Sequence, residues 1–136
     1  MDTWGWITLH NVKEPRHPEV QAYFRRFVST RGVVITSDYV LDETYTGIFR
    51  WSHFSKAEEL MLLISEAVAK GFLVVEWVTP ERFARTEQLR LQLQDKPRIS
   101  FTDLSSMVIM EELHITEVVT EDAHFTHVGK AFQLVP

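Results

Sequence analysis

Val33-Val34-Ile35-Thr36-Ser37-Asp38-Tyr39-Val40-Leu41-Asp42-Glu43-Thr44 changes its period halfway along. Its first four residues form a β-branched run with no polar alternation, the pattern of a strand buried on both faces. From Asp38 onward Val40, Thr44 and Ile48 recur every four residues, one face of a helix that Asp38 is expected to cap and that runs to about Trp51. A buried strand passing straight into a helix is half of a βαβ unit. Asp38, Asp42 and Glu43 therefore stand near the carboxyl end of a strand, where a parallel sheet places its ligands.

The same alternation continues in both directions. Further strands are expected at Phe72 to Trp77, Glu117 to Thr120 and Ala131 to Val135. Pro18 opens a helix that runs to about Thr30, with Gly32 as its terminator. Ser55 with Glu58 reads as a capping box for a helix ending at Gly71. Thr79-Pro80 starts another helix to about Gln94, and a last long one runs from near Thr102 to near Leu113. No repeat or low-complexity linker interrupts the 136 residues. The expected architecture is one α/β domain over residues 1–136, a three-layer α/β/α sandwich around a parallel sheet.

Composition narrows the chemistry. An apolar content of 45% in a chain of this length is enough for one real core. No apolar run reaches the ~20 residues of a membrane span, and the N-terminus lacks the basic and apolar regions of a signal peptide, so the expectation is a cytoplasmic protein without a membrane partner. Absence of cysteine excludes disulfides, thiolate nucleophiles and cysteine zinc sites, leaving oxygen and imidazole as metal ligands. A net charge of −5 argues against a broad basic nucleic-acid surface. Assigning four acids to a metal site leaves 14 cations against 15 carboxylates, and bound cations reverse the local field.

Periodicity alone does not establish a site. Asp38, Ser100 and Thr102 are explained as helix caps, and an acid in a first turn is favoured by the helix dipole. Glu43 falls outside the Val40, Thr44, Ile48 stripe and reads as a solvated acid. Asp103 shares a helical face with Met107 and Met110, an apolar setting that is harder to explain as structure alone.

Four segments together carry more. Asp2-Thr3-Trp4-Gly5-Trp6-Ile7 with Pro15-Arg16-His17-Pro18-Glu19, Thr36 to Thr44, Ser100-Phe101-Thr102-Asp103, and Val119-Thr120-Glu121-Asp122-Ala123-His124-Phe125 resemble, in order and spacing, the sequence blocks of the PIN-domain ribonuclease family, and within it the VapC-type toxins of bacterial toxin–antitoxin systems. The resemblance implies a metal-dependent endoribonuclease that hydrolyses RNA. It implies an acidic site of Asp2, Glu43, Asp103 and Asp122 holding Mg2+ or Mn2+, with Thr3, Ser100, Thr102 and Thr120 as hydrogen-bond donors behind the carboxylates. It also implies an antitoxin partner and a homodimer. Val20, Tyr23, Phe24 and Phe27 form one apolar helical stripe that suits either an interface or the core, the core being the commoner fate.

Two departures from the family pattern shape the expectations. Trp4 stands where asparagine or serine is usual. Only Met1 precedes Asp2, so the first strand is truncated. If Trp4 to Leu9 is the first helix, the flanking strands face each other across a slot about 9.6 Å wide, two strand spacings. The expectation is then that four to six apolar residues are encoded upstream of Met1. If Trp4 to Leu9 is instead the strand, Asp2 lies at the wrong end, away from the other acids.

Rival readings are weaker. His124 and His127 could share a helix face as metal ligands, but no third ligand follows at suitable spacing. No GxGxxG or P-loop pattern is present. A phosphate-accepting receiver would need an aspartate where the third strand ends in Trp77. The remaining alternative is a catalytically degenerate PIN fold acting as an interaction or RNA-binding module. Arg16, Arg25, Arg26, Arg50, Arg82, Arg85 and Arg98 are candidate phosphate contacts, and Trp4, Tyr45 and Trp51 candidate stacking residues, though solvated arginines and core aromatics are commoner.

Overall fold

Helix caps written into the sequence set most element boundaries in the computed structural model, which describes residues 1–136. In chain order the elements are α1 (Thr3–His10), α2 (His17–Ser29), β1 (Val34–Ser37), α3 (Asp38–Trp51), α4 (Phe54–Ala69), β2 (Leu73–Glu76), α5 (Pro80–Gln92), α6 (Phe101–Glu112), β3 (Glu117–Val119), a 3-10 turn (Ala123–Thr126) and β4 (Gln133–Val135). Asp2 caps α1, Thr79 caps α5 ahead of Pro80, and Ser100 with Asp103 makes a reciprocal capping box on α6. Gly71, at φ +76, follows α4 in the left-handed conformation that glycine adopts without penalty.

Two caps differ from expectation. Ser37, not Asp38, caps α3 by accepting from the Val40 amide. Asp38 is the first helical residue, and its carboxylate accepts from the Val78 amide at 2.9 Å, tying the exit of β2 to α3. At α4 the expected Ser55–Glu58 box does not form. His53 occupies the cap position and Phe54 is already helical, which leaves Ser55 inside the first turn. The shorter strands also trim the expected ranges, because pairing covers only residues 34–37 with 73–76 and 117–119 with 133–135.

The strands form two parallel pairs rather than one continuous sheet. β1 pairs with β2 in the register Val34 with Leu73, and β3 pairs with β4 in the register Glu117 with Gln133. Trp4 to Leu9 is helical, so no strand lies between the pairs. The core divides in the same way. One cluster gathers Trp6, Val34, Val40, Ile48, Leu60, Ile64 and Leu73 around α1, α3 and α4. The other gathers Leu89, Leu104, Met107, Val108, Val118, Phe125 and Phe132 around α5 and α6. Between them is a cavity of about 340 Å³ walled by β1, β3, α2 and α6. Val20 is fully buried and Phe24 and Phe27 pack on the first cluster, so the apolar stripe of α2 belongs to the interior.

Gly5 sets how closely α1 approaches β3. A Cβ there would lie 2.9 Å from the Val119 carbonyl oxygen, backbone that cannot swing aside. Gly5→Ala is therefore expected to push α1 off β3 and to lower unfolding stability by about 1–3 kcal/mol, the usual range for overpacking a close contact. Urea denaturation checks it, and an unchanged midpoint would show that the approach is not tight.

Candidate active site

Asp2, Glu43, Asp103 and Asp122 all line one open cleft of about 500 Å³, together with Thr3, Trp4, Arg98, Ser100, Thr120, Glu121 and His124. Each acid is delivered by a different local device. Asp2 is the cap of α1, accepting from the Thr3 amide at 2.7 Å on one oxygen and from the Thr120 hydroxyl at 2.8 Å on the other. Its own amide donates to the Val119 carbonyl at 3.2 Å, which fixes the residue to the end of β3. Asp103 is the third residue of the α6 capping box, where one oxygen accepts from both the Ser100 hydroxyl at 2.7 Å and the Ser100 amide at 3.2 Å. Asp122 follows β3 and caps the 3-10 turn, accepting from the His124 amide at 2.8 Å, while its own amide donates to Thr120 Oγ1 at 3.1 Å. Glu43 is exposed on α3 and is reached by the Thr3 hydroxyl at 2.8 Å.

Thr3, Ser100 and Thr120 thus stand where the sequence places them as donors behind the acids. Thr102 does not. Its carbonyl accepts from Ser105 and it is absent from the cleft wall, because the cap of α6 falls on Ser100 and turns Thr102 into the helix body. The structure adds His124, whose Nδ1 lies 3.1 Å from the Asp122 carboxylate. Ligand atoms of Asp103, Asp122 and His124 lie within 4.8 Å of one another. The sequence signal for His124 was its place two residues after Asp122, inside the same tight turn. Pairing it with His127 misdirected the reading, since His127 is exposed outside the cleft.

The electrostatics show what crowding costs. Burial raises the Asp103 carboxyl to about 6, and the charges of Asp2 and Asp122 push the same way against the Ser100 hydrogen bond. Burial also raises the Asp2 carboxyl, with Glu43 adding to it, against the opposing bonds from Thr120 and Thr3. Beside them the Met1 ammonium is lowered to about 6 by burial, despite the favourable charge of Asp2. Of the candidate cations, Arg98 lines the cleft, while Arg82 and Arg85 are engaged by Glu76 and Glu112 on another face. Trp4 lines the cleft with the Arg16 guanidinium 5.1 Å from its ring centre. Tyr45 packs against the core and Trp51 lies 73% exposed, neither of them lining the cleft.

Asp103, Asp122 and His124, with Asp2 and Glu43 in the same cleft, fit a hard divalent cation: oxygen ligands suit magnesium and manganese, and a cation there would offset the burial and the neighbouring charges that raise Asp103.

Parallel strands between helical layers, with a carboxylate cluster at their carboxyl ends, are the features of the PIN class of proteins. The sequence profile described as PIN domain matches residues 2–131, and the chain belongs to that family. Among particular proteins it is similar to the 23S rRNA-specific endonuclease VapC20 of two Mycobacterium tuberculosis strains, 28% identical over 130 residues that cover 95% of this chain and 92% of the relative. The crystal structure of Mycobacterium tuberculosis VapC20, described as a Sarcin-Ricin loop cleaving toxin, superposes with a TM-score of 0.74 at 26% identity, covering 94% of this chain and 92% of that one.

A carboxyl raised by folding destabilises the folded protein once it ionises. The Asp103 carboxyl rises from 3.8 to about 6, so the contribution favouring the fold is complete below pH 3.8 and is lost as pH rises through about 6. In chelator, Asp103→Asn is expected to be more stable than the parent at pH 7.5, by on the order of 1–2 kcal/mol after discounting for solvent at the open cleft. The difference is expected to vanish near pH 3.5. Urea unfolding at both pH values checks it, and a variant less stable than the parent at pH 7.5 contradicts the charge-crowding account.

Proposed function

We propose that this chain is an endoribonuclease that hydrolyses RNA phosphodiester bonds with Mg2+ or Mn2+ held at Asp2, Asp103, Asp122 and Glu43, and that it serves as the toxin of a toxin–antitoxin pair. The observation that carries the reading is the crowding of Asp2 and Asp103, two buried carboxyls both raised, against Asp122 and His124 in an open cleft. Isolated structural acids are not packed this way, because two carboxylates about 4 Å apart repel by roughly 4 kcal/mol at an effective dielectric near 20.

A divalent cation held by these acids would supply charge neutralisation on the scissile phosphate and would make an attacking water more acidic. The protein's own part is positional. Asp103 keeps one oxygen free of hydrogen bonds while Ser100 holds the other, so the free oxygen is pre-aimed into the cleft. Thr120 does the same for two acids at once, donating to Asp2 and accepting from the Asp122 amide. Thr3 orients Glu43, whose long side chain would otherwise sample several rotamers on an exposed face. Arg98 offers a guanidinium to the phosphate from the cleft wall.

The relatives named above suggest a structured ribosomal RNA hairpin as the substrate class. For the homodimer the α2 stripe is unavailable, being interior. We assign the contact to α4, where Phe54, Met61 and Val68 recur seven residues apart with Leu62 and Leu63 beside them, all exposed. An antitoxin would silence the chain by covering the acidic cleft.

With Mn2+ the parent is expected to cleave a sarcin–ricin loop hairpin, to lose cleavage in chelator, and to lose at least ~100-fold with Asp103→Asn, the scale of disrupting a metal shell. Intact RNA under every condition would favour the alternative of a binding module, and a variant cutting at the parent's rate would remove Asp103 from the site. Light scattering at micromolar concentration reads the dimer, with Phe54→Glu expected to give a monomer.

A further inference from the structure

The structure assigns to Trp4 the role of a stacking platform for one unpaired nucleobase of the RNA, that of the nucleotide adjoining the phosphate at the acids; the assignment rests on the endoribonuclease reading above.

The wall of the cleft is polar almost throughout. Eleven residues line it and one of them, Trp4, is hydrophobic. Phosphate and sugar oxygens find partners in such a wall, whereas a nucleobase presents a flat π-face that carboxylates and hydroxyls do not cover. The one other ring at the cleft, His124, lies with its Nδ1 3.1 Å from the Asp122 carboxylate, among the acids. The indole is therefore the plane that the cleft offers to a base.

Packing does not account for this ring. Trp4 is half-buried and belongs to neither half-core. Trp6 shows the contrast two residues on: it is buried in the first half-core, and its indole N–H donates to the Thr36 hydroxyl at 3.2 Å. Residues two apart on a helix point to nearly opposite sides. Helix α1 thus sends one indole into the core and the other to the acids.

The exposed indole is also held. The Arg16 guanidinium lies over it, 5.1 Å from the ring centre, and is itself anchored by the Glu19 carboxylate at 2.8 Å and by the Pro136 carbonyl. A cation fixed over the ring restricts its rotation, so an incoming base meets a plane already set and less freedom is lost on binding. The plane stands beside the chemistry. Trp4 shares the first turn of α1 with Asp2, which caps it, and follows Thr3, whose hydroxyl donates to Glu43. A nucleotide with its phosphate at the acids would bring its own base to this ring. Bases inside a duplex are already stacked on their neighbours, while a loop base can be splayed onto a side chain, so the platform selects an unpaired one.

Two variants separate ring from bulk: Trp4→Leu keeps an apolar side chain and a good helix former, and Trp4→Phe keeps an aromatic plane. Binding of the sarcin–ricin loop hairpin is read by fluorescence anisotropy with Mn2+ in the Asp103→Asn background, where the RNA is expected to stay intact. Each loop nucleotide is replaced in turn by an abasic one. One abasic position is expected to weaken binding about 10-fold, the scale of a single lost base stack. Trp4→Leu is expected to weaken binding of the unmodified hairpin by the same factor and to be indifferent to that abasic position, with Trp4→Phe recovering most of both effects. If Trp4→Leu binds as tightly as Trp4, or if its loss adds to that of every abasic position, the assignment is overturned. Cleavage by the chain with Asp103 intact distinguishes this failure from that of the nuclease reading. A chain that cleaves while Trp4→Leu changes nothing refutes the platform alone; one that shows the binding pattern but never cleaves refutes the nuclease reading alone; one that binds no RNA refutes both.

Discussion

Carboxylates packed close together repel each other, and Asp2 and Asp103, both buried beside Asp122, are held in place by hydrogen bonds at helix starts. Asp2 and Asp122 each cap a helical element and Asp103 completes the capping box of α6 with Ser100, so the hydrogen bonds that start these helices also fix the acids. Each such bond offsets part of the desolvation that raises Asp2 and Asp103. Structural and functional readings of these acids are therefore not alternatives. A cap bond occupies part of a carboxylate's acceptor capacity, and each oxygen has a second lone pair for another partner. Asp103 shows the division most clearly, with both Ser100 donors on one oxygen.

That double duty explains which parts of the site were legible in the sequence. Asp2, Asp103 and Asp122 lie in blocks whose local chemistry is self-contained, a polar cap followed by an apolar run, and the structure brings all three to the cleft with Glu43. Helical phase correctly marked Glu43 as exposed, yet could not show that Thr3, forty residues away in sequence, reaches it. His124 was hidden for the opposite reason: its partner is only two residues off, in a 3-10 turn that has no apolar period to read. Thr102, which the resemblance groups with Ser100 as a donor, is the second residue inside α6 because Ser100 is the cap.

The fold was legible to the same depth. Strand positions and the order of the later helices follow from runs and caps along the chain, while the helical reading of Trp4 to Leu9 came from the resemblance alone, and the structure has both. At α4 the sequence offered two starts. Ser55 and Glu58 satisfy the capping pattern, but His53 accepts from the Ser55 amide and lets Phe54 begin the helix, its ring 5.7 Å from that of Phe49. A side-chain cap bond is thus kept at this helix start, supplied by His53 in place of Ser55. The α2 stripe posed a similar ambiguity, since an interface and a core need the same pattern; full burial of Val20 and the packing of Phe24 and Phe27 on the first half-core decide it.

Charge placement bears on how an acidic protein with net charge −5 would meet a phosphate chain under the proposed activity. Arg82 is drawn in between Glu76 and Glu112, with Arg85 on the same glutamate, so these cations stabilise the β2–α5–α6 junction and offer little to a polyanion. Arg16 pairs with Glu19 and lies over Trp4. Arg98 lines the cleft without an ion pair, so under the proposed activity a cation held by the acids would be the main counter-charge at the point of contact. Binding of that kind neutralises few phosphates, and the affinity lost with added salt scales with the number neutralised. Recognition would then rest on the shape of one RNA loop fitting one cleft, a mode available to a small acidic domain and closed to one that must coat a length of backbone.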